Sequence, residues 1–500
     1  MTLNLTTKQI VNRALFNRLT VFFLFALALN LAGTWILPLV DRDEPWYAEV
    51  SREMNEKHDH TVSYFNDQYW LEKPPVLYWS QSAAFKIFGS NEFAARFPGA
   101  LASALTALVI FGFCSRLYNR QTAWRAALAF VLCLEMIIFG KAGVTDMPTV
   151  LFTTLAAWAG WELVGTMERP SPLSMTAWWW IFYGSLAMSF LAKGPLAALP
   201  VGGLLVYWRW AKIPDFFRRM KFGRGLALAG GLAALWFVPA VIETQGEYLK
   251  VFIGQQVLER TVKPLDGHGG SNLLMYLLTL PFYFVTVWIL FFPWSVYFPK
   301  AIRRFRTERK PADIYLVSGI LVTFVLFSLA RTKLPHYTLP AFPLIACVIA
   351  PILAGVRMIR WAGLMVACNL VISFGLFPLA SKYSAGAQLA DNPAIQDGMK
   401  FASADYNEPS LVWIFRKHIT SYDTKLKLAD VDAYMNEEGA RLCILPTKDL
   451  QKIAIGPDWK IFTARGFNIS KGRMIDLSML VKSSPGSVVK FKAAHSVALR

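Results

Sequence analysis

The segment Asp41-Arg42-Asp43-Glu44-Pro45-Trp46-Tyr47-Ala48-Glu49 opens a charged, aromatic stretch that Tyr69-Trp70-Leu71-Glu72-Lys73-Pro74-Pro75-Val76-Leu77-Tyr78-Trp79 continues. The apolar run Leu19–Val40 precedes it, and apolar sequence resumes at Phe97. Ionisable residues are costly at a bilayer boundary, so crowding them there marks a site more than a packing need. Chemistry is therefore expected within residues 41–89, and the apolar runs on either side decide the fold.

Composition sets the class. The chain has 500 residues, 55% hydrophobic and 17% charged, with a mean hydropathy of +0.38, too apolar for a soluble protein of this length. Several runs approach the roughly 18 to 20 apolar residues needed to cross a bilayer. The first is longer than a signal-peptide core and lacks a small-residue cleavage pattern, so it reads as a retained span. The net charge of +18 would suggest nucleic acid in a soluble chain. Here the basic residues fall in short loops between apolar runs, which records membrane orientation, and nucleic acid is not an expected partner. Of the five cysteines, Cys114, Cys133, Cys347 and Cys368 lie in or beside apolar runs and Cys443 stands alone. They read as buried thiols, with no disulfide framework.

About eleven spans are expected from run length and flanking polarity: Leu19–Val40, Phe97–Leu117, Trp124–Phe139, Pro148–Val164, Ala177–Leu191, Pro195–Trp210, Gly225–Ile242, Leu273–Phe298, Ile314–Leu329, Tyr337–Ala354 and Met358–Leu379. Alternate loops carry the cations, among them Arg116, Arg120, Arg125, Arg218, Arg219, Arg303 and Arg304. The positive-inside rule makes that side cytoplasmic, with the amino terminus inside and the tail outside. The expected architecture is thus a polytopic, all-α membrane bundle over residues 1–380, with loop 41–96 carrying active-site residues. A small periplasmic α/β domain over 381–500 follows. In that tail, Leu411–Phe415, Arg441–Leu445 and Met474–Val481 suit strands, and Ala429 to Ala440 has helical spacing.

The candidate residues share a theme of charge beside a helix-interrupting proline at an outer boundary. Asp43 and Glu44 follow the first span, with Tyr47 close behind, and Asp146 sits before Pro148 at a second boundary. An isolated acidic pair would merely end a span; carboxylates at separate outer ends that converge on one cavity can take a proton or hold a divalent cation. Glu72-Lys73-Pro74-Pro75 fixes an extended backbone before Val76 to Phe88 and holds an ammonium where a lipid phosphate would lie, although interfacial lysines ordinarily snorkel. Lys193-Gly194-Pro195 repeats the arrangement, and Arg331, Lys333, His336 and Tyr337 crowd into seven residues, richer than anchoring requires. Arg96 is a further phosphate partner. The loop 243–272 holds Arg260 and the Gly-rich run Asp266-Gly267-His268-Gly269-Gly270, which reads as a gate or as a weak metal-ligand set. A divalent cation held by Asp43 and Asp146, with His268 as a further ligand, is the cofactor these residues suggest; no organic cofactor is expected.

These motifs, in their order, resemble the bacterial polyprenyl-phosphate-sugar-dependent glycosyltransferases of the GT-C class, which include the lipid A aminoarabinose transferases and are related to the protein O-mannosyltransferases. The resemblance rests on Asp43-Glu44-Pro45-Trp46-Tyr47-Ala48-Glu49, Ser51-Arg52-Glu53-Met54, Leu71-Glu72-Lys73-Pro74-Pro75 and Glu92-Phe93-Ala94-Ala95-Arg96. It continues through Thr145-Asp146-Met147-Pro148, Lys193-Gly194-Pro195, Phe292-Pro293-Trp294-Ser295 and Lys333-Leu334-Pro335-His336-Tyr337. It implies a bundle of up to thirteen spans, with Asp43 and Asp146 as essential outer-face carboxylates. Glu72 and Lys73 would sit at the carrier-lipid phosphate, and Tyr337 in a later cavity motif. Trp46 stands where lipid A transferases commonly have arginine, and the Gln255-Gln256 region lacks an expected Glu-His pair, so sugar and acceptor stay open.

The expected function is that of an inner-membrane glycosyltransferase with a periplasmic active site and an undecaprenyl-phosphate-linked sugar as donor. The acceptor would be lipid A, another envelope glycan or protein. A ligase or polymerase using a pyrophosphate carrier is the enzymatic rival. A transporter would instead show inverted repeats and mid-span charges, and a catalytically dead binding protein would tolerate loss of Asp43.

Overall fold

A computed structural model describes residues 7–41, 43–164, 170–259, 273–469 and 471–483. The chain divides into two compact units. One comprises Met1–Thr34, Met54–Ser63 and Tyr69–Phe374; the other comprises Trp35–Glu53, Tyr64–Gln68 and Gly375–Arg500. The second unit therefore takes in two pieces of the charged loop as well as the carboxyl-terminal tail.

The first unit is a helical bundle. Among the described residues, seven helices are long and apolar enough to cross a membrane: Arg13–Leu31, Glu92–Leu117, Met175–Ala211, Phe216–Glu243, Pro311–Leu329, Pro335–Ile352 and Arg357–Ser381. The pair Leu274–Leu290 and Trp294–Glu308, bent by 109°, makes an eighth if it is one span. About eleven were expected, and the difference has local causes. The apolar run Trp124–Phe139 breaks between Val131 and Leu134 into two short helices. The two crossings expected over Ala177–Leu191 and Pro195–Trp210 abut without a loop, Met175–Lys193 meeting Ala198–Ala211 through a 3-10 turn over Gly194–Ala197, so they count as one helical stretch, Met175–Ala211.

Several polar groups inside the bundle find partners within it, as an apolar medium favours. Thr149, Thr153 and Thr154 hydroxyls donate to carbonyls one turn back. Arg116 pairs with Glu162 at 2.7 Å, and Arg304 donates to Asp313 at 2.5 Å. Small residues bring helices together: a Cβ on Gly203 would stand 2.9 Å from the Gly319 Cα, the close backbone approach that glycine permits between membrane helices.

The second unit holds a five-stranded mixed sheet in the order Asp423–Leu426, Lys400–Ala404, Arg441–Pro446, Arg473–Lys482, Trp459–Asn468. The first three strands run parallel, with Phe401 opposite both Asp423 and Leu442. Arg473–Lys482 pairs antiparallel with Arg441–Pro446 on one side, Cys443 facing Leu480, and with Trp459–Asn468 on the other. Ala402, Cys443 and Leu480 enter a core with Met435 and Trp459.

Leu411–Phe415, expected as a strand, is helical within Pro409–Phe415. A five-residue apolar run fits a buried strand and a buried helix equally well. Here Pro409 at the first helical position pre-sets the helical φ. The expected helix Ala429 to Ala440 shortens to Val431–Asn436 behind a single 3-10 turn.

Candidate functional site

In the first unit the site gathers around Asp146, the first residue of the helix Asp146–Val164. Lys193 reaches it from the last turn of Met175–Lys193, Nζ donating to Oδ1 at 2.7 Å. The chain can turn at that helix end because Gly194 adopts φ 67 and a Cβ there would meet the Phe252 ring at 2.8 Å. Lys73 and His336 also bring positive charge to bear on Asp146, and Lys73 is buried. The Lys193 ammonium lies 5.7 Å from the Tyr337 ring centroid, while the His336 ring packs on Phe139 at 4.6 Å. Five expected residues from four parts of the chain, Lys73, Asp146, Lys193, His336 and Tyr337, thus form one cluster. Glu135, buried and electrostatically coupled to Asp146, joins it. A single carboxylate inside an apolar run gave no motif by which to find it.

Two other expected cations serve helix ends. Lys333 donates to the carbonyls of Phe327, Ser328 and Ala330 at 3.0, 2.5 and 2.6 Å, closing the carboxyl end of Pro311–Leu329. Burial holds its pKa below the ordinary lysine value. Arg96 donates to the Thr34 carbonyl at 2.8 Å, and Lys141, which the motifs did not mark, donates to Leu29 and Ala32 at 2.6 and 2.8 Å. These two cations satisfy the end of the first helix just before the charged loop. Burial, then the charge of Arg96, lower the Lys141 pKa to about 7. Arg331 lies 5.6 Å from the Tyr276 ring, and Glu72 is half-buried.

The second unit carries Asp43, Glu44 and Tyr47 on the helix Asp43–Lys57. Glu44 is buried and accepts from the Val40 amide at 2.9 Å, a local tie to the chain that enters its helix. Asp43 is exposed, and the buried Tyr47 hydroxyl donates to it at 3.4 Å. Of the acidic pair, Asp43 is the exposed one and Glu44 the buried one. Arg260 and His268 lie outside the described residues. Among the described residues no three His, Cys, Asp or Glu side chains form a metal-holding group, and Asp146 faces an ammonium.

Fold and cluster together define a polytopic membrane bundle with cations gathered around a buried carboxylate. The particular likenesses narrow it. Residues 72–242 match the family described as dolichyl-phosphate-mannose-protein mannosyltransferase. The chain is 30% identical over 339 residues to an undecaprenyl phosphate-alpha-4-amino-4-deoxy-L-arabinose arabinosyl transferase of Aeromonas hydrophila. That match covers 66% of this chain and 58% of the relative, so the chain spans well under two thirds of the relative's length. In three dimensions it resembles the ArnT of Cupriavidus metallidurans in the apo state, with a TM-score of 0.75 at 18% identity, covering 93% of this chain and 98% of that one. The undecaprenyl phosphate-bound form of the same protein gives 0.73, covering 92% and 98%. The resemblance read from the motifs is borne out, and the likeness of fold covers 93% of this chain.

Proposed function

We propose that this protein transfers a sugar from a polyprenyl phosphate, undecaprenyl phosphate being the expected carrier, to an acceptor at the outer face of the inner membrane. Lipid A, another envelope glycan or protein would be that acceptor. The observation that carries the reading is the cationic cluster of Lys73, Lys193 and His336 around buried Asp146, flanked by Tyr337. In the reaction, an acceptor oxygen attacks the anomeric carbon while the bond from that carbon to the phosphate oxygen breaks. The electron pair stays on the lipid phosphate, whose growing charge Lys73 offsets; fixed cations in a water-poor site are effective at this. A proton from an acceptor hydroxyl passes to the Asp43 carboxylate; a phosphate acceptor gives up none. Asp146 keeps Lys193 and His336 in place. Direct displacement inverts the sugar carbon. A divalent cation, if one takes part, would add to the neutralising charge on the phosphate.

The alternating cationic loops favour an amino terminus in the cytoplasm and a periplasmic tail, which puts the charged loop on the side away from nucleotide sugars. A donor panel tests the reading: labelled sugar on mono- and diphosphate carriers, incubated with envelope fractions. Transfer from the monophosphate carrier alone supports it; transfer only from the diphosphate favours the ligase.

A further inference from the structure

The helix that presents Asp43 carries a second set of charges unused by the reaction. Glu49 and Glu53 stand one turn apart on one face, both completely buried, and like charges at that spacing repel. Two guanidinium groups answer them. Arg52 pairs with Glu49 and donates to the Trp413 carbonyl at 3.4 Å, its guanidinium 4.8 Å from the Trp413 ring. Arg416, from the end of the helix Pro409–Phe415, pairs with Glu49 and lies 3.7 Å from Glu53. The same helix is gripped at its other end, where Asp41 accepts from the Ser410 amide at 2.9 Å and its hydroxyl at 2.6 Å.

A third tie runs through the turn at Asn66-Asp67. Both residues adopt positive φ, and their amides donate to the two Glu53 oxygens at 2.5 and 3.1 Å. The Asn66 side chain exchanges hydrogen bonds with the Asp423 backbone at 2.7 and 2.8 Å. All these groups belong to the second unit. Its helix Pro409–Phe415 and its edge strand therefore hold residues 41–53 at three points, and the charge of Arg416, from outside the helix, spans both carboxylates.

We propose that Arg416 is a positioning residue: by bridging Glu49 and Glu53 it fixes the helix that presents Asp43, which makes the carboxyl-terminal tail part of the active-site scaffold. The proposal rests on the reading of Asp43 as the group that meets the acceptor. Without Arg416, the buried Glu49 and Glu53 lose the cation they share, and the helix must shift to rehydrate them. Displacing a reacting group by about 1 Å costs on the order of 100-fold in rate.

The full-length protein in nanodiscs is compared as wild type, Arg416→Met, Arg416→Lys and Arg441→Met. Arg441 is an equally buried arginine of the same unit whose partners are Tyr434, Glu437 and Glu438. Amide hydrogen exchange across residues 43–53 and steady-state transfer are both read. Arg416→Met should speed exchange there at least tenfold, with kcat down roughly 10- to 100-fold and donor KM within twofold. Arg416→Lys should recover most of both, and Arg441→Met should leave exchange at 43–53 and kcat unchanged. Unchanged exchange or unchanged kcat in Arg416→Met overturns the proposal, as does an equal effect of Arg441→Met. If wild type transfers nothing while Arg416→Met still loosens residues 43–53, the scaffold stands and the assigned reaction falls.

Discussion

Replacing Lys193 with methionine should reveal the electrostatic core of the site. The ammonium lies 2.7 Å from the Asp146 carboxylate, with 17% and 9% of the two side chains exposed. At that distance and an effective dielectric of about 20, attraction amounts to roughly 6 kcal/mol. Desolvation consumes part of it, and breaking a buried pair by removing one partner costs about 3 to 5 kcal/mol, because the other charge is left buried. Lys73 and His336 also face Asp146, which favours the low end, about 3 kcal/mol. The assay is reversible unfolding in mixed micelles followed by tryptophan fluorescence, for Lys193→Met, Asp146→Asn and the double variant. Each single change should cost about 3 kcal/mol. The double should cost about 2 kcal/mol less than their sum, since it removes both charges together. Additivity within about 0.5 kcal/mol would refute the coupling and with it the account of Asp146.

The second unit should weaken as pH rises. Burial first, then the charge of neighbouring carboxylates, raises Asp41 from 3.8 to about 6 and Glu53 from 4.5 to about 7. The folded state thus holds these protons more tightly than the unfolded chain. Their contribution is complete below about pH 4 and lost by pH 7, on the order of 3 kcal/mol each. Glu53→Gln should flatten the fall in melting temperature across that window, and an unchanged slope would contradict the assignment. Lys333→Met should speed hydrogen exchange near Ala330 while leaving donor KM within twofold; a rise in KM with no change in exchange would mean that the lysine serves the phosphate and the helix end does not need it.

Much of the site was legible because the chain marks it twice, by charge where apolar sequence is the norm and by proline or glycine beside that charge. Lys193-Gly194-Pro195 and Asp146-Met147-Pro148 were each ordinary alone, yet both end helices at one cluster. The run Val76 to Phe88, set off in the sequence by two prolines, is a helix with those bounds. Less legible were residues whose role depends on packing. Lys333 and Arg96 resemble phosphate ligands in sequence, and only their distances to main-chain carbonyls reveal helix caps. Arg416 and Glu49 are more than 360 positions apart, and no local pattern announces such a pair. The apolar run Leu411–Phe415 was ambiguous by length, and the span count by the helix breaks that short apolar runs conceal.

The central claim is tested most directly by following labelled sugar from a polyprenyl-phosphate carrier into envelope fractions, with wild type, Asp43→Asn and Asp146→Asn side by side. The account predicts transfer by wild type and loss of at least 100-fold in Asp43→Asn, with a comparable loss in Asp146→Asn. Transfer by Asp43→Asn at the wild-type rate would contradict it.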